Sequence, residues 1–310
     1  MNGKKLKYRK IMKIIFFGTP DYVLPILEKL HKYYEVVAVI TQSPKPVGKK
    51  KILTYSAIDD WAHKRKIPKF YEFTNLPKAD LGVLASYGNL IPKEVINIFP
   101  LGILVIHPSL LPQFRCSNPI RATLITGTNP TGVTIFKMDE KWDSGPILTQ
   151  FKEEVFEDDD NESLRNRLFK KAADVLIEML PSYREGKIKP KPQDETKATY
   201  AKLISKNDGF IPFEFIKNAM EINNNEEILD IPFIKGYSTV PDAKFLNRFI
   251  KAMKPWPAAW TKIKINEKEF RLKLIDAHLD FKTEYLVLDK VQLESKGPVS
   301  WNQFKSAYQI

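Results

Sequence analysis

His107-Pro-Ser-Leu-Leu-Pro112 follows directly on the apolar run Ile103-Leu-Val-Ile106, and a second stretch lies downstream: Gly132-Val-Thr-Ile-Phe-Lys-Met-Asp-Glu-Lys-Trp-Asp-Ser-Gly145. The run before His107 is short, continuous and rich in branched side chains, which is how a parallel strand buried on both faces reads. In open α/β sheets, chemistry collects at the carboxyl ends of such strands. A histidine there titrates near neutrality, and a carboxylate such as Asp143 can orient it or share its proton. His107 and Asp143 are therefore candidate catalytic residues. Read singly, each has a plainer role: a histidine after a strand is often structural, and Asp-Ser-Gly is a common turn composition.

Outward from this stretch, strand-like runs cover 13–17, 36–40, 81–85 and 103–107, and residues 21–33 and 56–66 carry apolar side chains at helical spacing between them. Thr19 is placed to cap the first helix, with Pro20 at its first position. Alternation of this kind predicts a Rossmann-like, mostly parallel sheet covered by helices on both faces. Strands are predicted at 133–136 and 147–152, around the Asp-Ser-Gly turn, and a long helix with an acidic start at 160–183. Composition changes at Gly186. Residues 187–204, opening Lys187-Ile-Lys-Pro-Lys-Pro-Gln-Asp-Glu195, predict a linker between a first domain (1–186, with a basic extension at 1–11) and a second (205–310). In the second, 218–230 reads as a loop, 245–253 as a helix ended by Pro255, and 260–265, 269–275 and 285–293 as strands.

The chain has 310 residues, enough for two cores, with 43% hydrophobic and 28% charged residues, an ordinary globular balance. No apolar run has the length of a membrane span, and Ile14-Ile-Phe-Phe17 is too short for the core of a secretion signal. The lone Cys116 excludes an intrachain disulfide and a cysteine-based zinc site, which fits a reducing cytoplasm. No cluster of histidines, cysteines and carboxylates calls for a metal. The net charge of +12 is concentrated early: fifteen lysines and arginines face five acids before Pro68. Such asymmetry fits attraction to phosphates, although a lysine-rich solvated face reads the same way. Phe17-Gly-Thr-Pro-Asp21 has one glycine rather than three, so no dinucleotide site is expected.

Several elements together carry a family resemblance: Phe17-Gly-Thr-Pro-Asp21, the basic loop Thr41-Gln-Ser-Pro-Lys-Pro-Val-Gly-Lys-Lys-Lys51, Ser86-Tyr-Gly-Asn-Leu-Ile-Pro-Lys93, Ser109-Leu-Leu-Pro112 and Lys254-Pro-Trp-Pro-Ala258. They resemble the 10-formyltetrahydrofolate-dependent formyltransferases over nearly the whole chain, and within them the branch acting on methionyl initiator tRNA. The resemblance implies the formyltransferase α/β fold with a C-terminal OB-like β-barrel. It also implies 10-formyltetrahydrofolate as formyl donor, no metal, and initiator methionyl-tRNA as partner of a cytoplasmic, monomeric enzyme.

By the same resemblance, His107 and Asp143 do the chemistry. Ser109, Leu110, Leu111 and Pro112 frame the folate, and Asn89, Leu90, Ile91, Asp139 and Glu140 contact its pterin. Lys45, Lys49, Lys50, Lys51 and Arg115 meet the tRNA. Three positions depart from the pattern. Val105 stands where the family has an asparagine that helps hold the oxyanion, and valine donates no hydrogen bond. Cys116 replaces a glycine, and Lys137 is unusual in the second stretch. Two other readings stay open: a formyltransferase for another amine, such as a nucleotide sugar, and a folate- or tRNA-binding relative without turnover.

Overall fold

The chain follows the alternation read from its apolar runs. The computed structural model describes residues 12–48, 50–221 and 227–309, so the basic extension, Lys49 and the centre of the asparagine-rich stretch lie outside the described residues. In chain order come β1 (Lys13–Gly18), α1 (Leu24–Tyr33), β2 (Glu35–Ile40), β3 (Lys45–Val47), β4 (Ile52–Thr54), α2 (Ala57–Arg65), β5 (Lys69–Phe70), β6 (Leu81–Ala85), α3 (Lys93–Ile96), β7 (Ile103–His107), α4 (Pro119–Thr126), β8 (Thr131–Lys137), β9 (Ile147–Glu153) and α5 (Asn161–Arg184). There follow α6 (Phe213–Met220), β10 (Leu229–Asp230), β11 (Ser238–Thr239), α7 (Ala243–Met253), β12 (Ala259–Ile265), β13 (Lys268–Leu279), β14 (Leu286–Leu293), β15 (Val299–Ser300) and α8 (Trp301–Tyr308).

A seven-stranded sheet runs β5-β2-β1-β6-β7-β8-β9. β2, β5, β6 and β7 join in parallel, and β8 turns antiparallel against β7, pairing His107 with Thr134 and Val105 with Phe136. All five residues of β7 are buried, as a central strand covered on both faces requires. Chain direction switches sides between β2 and β6, which opens the crevice at the carboxyl ends of the strands. The expected first helix begins differently. A 3-10 turn at Asp21–Val23 precedes α1, Pro20 takes the cap position, and the Thr19 hydroxyl donates instead to the Tyr87 carbonyl at 3.2 Å.

The chain divides into two compact units that interleave along the sequence. The first takes Met1–Arg115, Gly132–Glu153 and Arg165–Ala198; the second takes Cys116–Thr131, Glu154–Leu164 and Thr199–Ile310. In the second, α7 buries Phe245, Leu246, Phe249, Ile250 and Met253 and is capped by the Asp242 carboxylate. Its strands form a four-stranded antiparallel meander, β12-β13-β14-β15. That is the antiparallel β-region expected, but the pairings among the described residues are those of an open sheet rather than a closed OB-like barrel. The stretch read as a linker is not free either: Lys191 exchanges two backbone bonds with Ile147, at 2.7 and 2.8 Å. The loop read at 218–230 is partly regular, since α6 runs to Met220 and Leu229–Asp230 pairs with Ser238–Thr239.

Candidate active site

β7 delivers His107 to the sheet's carboxyl edge, and the Ser-Leu-Leu-Pro loop that follows is tied down by neighbouring strands. The Thr134 hydroxyl donates to the Ser109 carbonyl at 2.7 Å and accepts from the Leu111 amide at 3.0 Å. Gln150 on β9 donates to both the Leu111 carbonyl and the Thr134 hydroxyl, at 2.9 and 2.8 Å. Ser109 bonds the Gln113 carbonyl and is buried. Thr134 and Gln150 were not among the residues singled out by sequence; their only signal is their place on the strands flanking the loop.

His107 is 6% exposed. Its Nε2 lies 2.9 Å from the Phe114 carbonyl. A carbonyl only accepts, so Nε2 carries a proton, and Nδ1 on the other side of the ring is the nitrogen left to exchange one. The Asp143 carboxylate lies beside it, with Nδ1 and Oδ2 3.7 Å apart. The gap exceeds a direct hydrogen bond. A carboxylate at this distance can orient the ring and stabilise an imidazolium that forms when Nδ1 takes a proton.

Asp143 occupies a left-handed position, φ 48°. Its turn is closed from within by Ser144, which donates to both oxygens of Asp139 at 3.0 and 2.9 Å. Gly145 is needed for space, since a β-carbon there would collide with the Lys137 carbonyl. From outside, the Gln193 amide donates to the carbonyls of Asp143 and Gly145, at 2.8 Å each.

Arg115 does not sit where the expectation of a tRNA contact would put it. It is 2% exposed and locked in place. Its guanidinium donates to Gln193 Oε1 at 2.8 and 3.2 Å and to both Glu195 oxygens at 2.9 and 2.7 Å. The bond from Arg115 holds the Glu195 carboxyl below its usual pKa.

The residues expected at the folate lie on two loops. Asn89 and Leu90 are exposed and Ile91 half-buried in the segment after β6, and Asp139 and Glu140 lie on the turn after β8. Lys93 and Glu140 tie the two together at 2.6 Å, and this bond raises the Lys93 pKa. Leu110 is half-buried and Leu111 is buried. Val105 shares the His107 face of β7 by strand alternation and packs with Leu111 and Phe136.

The basic loop forms a hairpin, β3–β4, that the sequence reading left as loop. Lys45, Lys50 and Lys51 are exposed on it, and so are Val47, Ile52 and Leu53. Lys49, also expected there, lies outside the described residues. Cys116 is half-buried and takes φ 82°. Among the described residues, no group of histidines, cysteines and carboxylates is placed to hold a metal, and no helix is long and apolar enough to cross a membrane.

A family model described as formyl transferase matches residues 12–180. A methionyl-tRNA formyltransferase from Listeria welshimeri is 33% identical over 295 residues, covering 91% of this chain and 86% of that protein. Among solved structures, methionyl-tRNA formyltransferase from Clostridium thermocellum superposes with a TM-score of 0.54 at 15% identity, covering 93% of this chain and all of that one. HypX from Aquifex aeolicus in complex with tetrahydrofolic acid gives 0.59 at 16% identity, covering 96% of this chain and 47% of that one. At such identities the two structures speak for the fold.

Proposed function

This chain belongs to the formyl transferase family, and on that premise we propose that it transfers a formyl group from 10-formyltetrahydrofolate to the amine of methionyl initiator tRNA. The observation that carries the reading is the His107–Asp143 pair: Nε2 fixed on the Phe114 carbonyl at 2.9 Å, and Nδ1 with the Asp143 carboxylate 3.7 Å away.

10-Formyltetrahydrofolate supplies the formyl carbon when bound. Support for a pterin comes from backbone groups on two bridged loops and from apolar side chains on the loops concerned: Leu90 is 66% exposed and Ile91 half-buried after β6, and Leu110 is half-buried in the Ser-Leu-Leu-Pro loop. The attacking amine must shed a proton as its nitrogen bonds carbon. His107 Nδ1 takes that proton, the adjacent Asp143 carboxylate stabilises the resulting imidazolium, and the bond from the formyl carbon to the folate nitrogen breaks as that nitrogen takes up a proton in turn, so that tetrahydrofolate leaves. The Phe114 carbonyl keeps the ring from rotating. Val105, on the same face, supplies no donor for the negative charge that grows on the formyl oxygen, so the site runs without one element of charge stabilisation.

For the tRNA, the support is the β3–β4 hairpin, where exposed lysines lie among exposed aliphatic side chains: cations for phosphates beside an apolar surface. In this reading the first unit performs the chemistry and the second holds the acceptor arm. The single cysteine suits action in a reducing cytoplasm, and light scattering tests the monomer. The deciding experiment is formation of formylmethionyl-tRNA from 10-formyltetrahydrofolate and charged initiator tRNA. Transfer to a nucleotide-sugar amine with none to the tRNA would overturn the proposal.

A further inference from the structure

We infer that the buried Arg115 and the half-buried Gln193 form a clamp that positions both members of the His107–Asp143 pair at once. The inference rests on that pair being the reacting one, as proposed above. On one side, the residue preceding Arg115 is Phe114, whose carbonyl is the anchor for His107 Nε2. Phe114 has φ 54° and Cys116 has φ 82°. Backbone of this kind holds its shape only where the surroundings over-determine it. The fork of four bonds from Arg115 to Gln193 and Glu195 does so in a residue only 2% exposed. On the other side, the Gln193 amide nitrogen holds the carbonyls of Asp143 and Gly145 together, at 2.8 Å each. Asp143 too is at positive φ. Gln193 thus uses its oxygen on the arginine beside the histidine's anchor and its nitrogen on the aspartate's backbone. The bonds of Gln193 run to backbone carbonyls of the turn and the four of Arg115 to Gln193 and Glu195, which makes both positioning residues.

Gln193→Glu isolates the claim. Glutamate keeps the volume and keeps, as an ion pair, the acceptor for Arg115. It loses only the two donations to the Asp-Ser-Gly turn and sets a carboxylate against two carbonyls. Displacement of a reacting group by about 1 Å can cost roughly 100-fold. We therefore expect kcat for formylmethionyl-tRNA formation to fall more than tenfold, with KM for both substrates within threefold and an intact cooperative melt. A residue that merely fills space or neutralises Arg115 would tolerate glutamate, so kcat within twofold of the parent would overturn the clamp while leaving the proposed activity standing. If the parent chain forms no formylmethionyl-tRNA, the proposed activity fails and the clamp is read from 15N-histidine NMR of the full-length protein. The His107 Nδ1 resonance should move in Gln193→Glu while Nε2 stays protonated. An unmoved Nδ1 resonance would overturn the clamp.

Discussion

Val105→Asn separates two effects that act in opposite directions at one position. Val105 is 4% exposed, and Leu84, Leu111, Phe136, Met138 and Ile147 surround it. An amide placed there without partners costs about 1–3 kcal/mol of folding stability, or a loss of roughly 2–12 °C in Tm for a domain of this size. In the reaction, the same amide would face the formyl oxygen from beside His107. A single oxyanion donor is worth about 100- to 1000-fold in turnover, or about 2.7–4 kcal/mol. Asn118 is engaged elsewhere, donating to the Lys202 carbonyl at 2.7 Å and accepting from Arg121. The variant should therefore be less stable and faster, with kcat up and the folate KM little changed, because the loops expected at the pterin are elsewhere. The assay is steady-state formyl transfer to charged initiator tRNA beside a thermal melt of each protein. A folded asparagine variant no faster than the parent would show that charge on the formyl oxygen is held by some other group and that the account of position 105 is wrong.

Four other outcomes are expected. Cys116→Gly should raise Tm, because glycine takes φ 82° without strain; the gain is about 0.5–1 kcal/mol after the added freedom of the unfolded chain is subtracted, and calorimetry reads it. Replacing Lys45, Lys50 and Lys51 with alanine should weaken tRNA binding and flatten its salt dependence by up to about 2.7 in log–log slope, at about 0.9 per phosphate; an unchanged slope means the hairpin does not meet phosphate. The bond from Arg115 lowers the Glu195 pKa, so its contribution is complete above the unfolded value near 4.3 and is lost as pH falls through the folded one; Glu195→Gln should remove that part of the acid-side loss seen in melts from pH 6 to 3. A fragment of residues 205–310 lacks Cys116–Thr131 and Glu154–Leu164, which belong to the same compact unit; α7 would lose the cover of α4, and the fragment should show no cooperative melt.

Burial decided how much of the fold could be read. β1, β6 and β7 are covered on both faces and spell themselves as unbroken apolar runs. β3 and β4 are exposed along their length, so no hydrophobic period marks them, and Pro46, Gly48 and the lysines point to a loop. Other omissions had a signal that went unused. Asn118 before Pro119, with Gly127 after Thr126, is the polar cap, first-position proline and left-handed glycine that bracket a helix, and α4 lies between them. Ser300 with Gln303 is a capping box, and it opens α8. The interleaving of the two units has no such local mark, because it depends on which segments meet in space.

In the candidate site, the same limit falls on the supporting residues rather than on the reacting ones. His107 and Asp143 could be singled out because a titrating side chain at a strand end and a carboxylate in a tight turn are chemically distinctive. Arg115 is assigned to the tRNA by the resemblance alone, and a charged side chain in a loop points outward to phosphate. Its burial reverses that: a guanidinium removed from water must be bonded, and here four of its bonds go to Gln193 and Glu195, in a segment whose prolines and lysines look like linker. The bonds that satisfy the arginine also fix the backbone on which His107 and Asp143 depend. A charged residue followed by an unusual backbone position, Cys116 where the family has glycine, is the trace of this that the sequence does carry. It marks a chain bent for the sake of a nearby side chain, and such a bend persists only when something buried holds it.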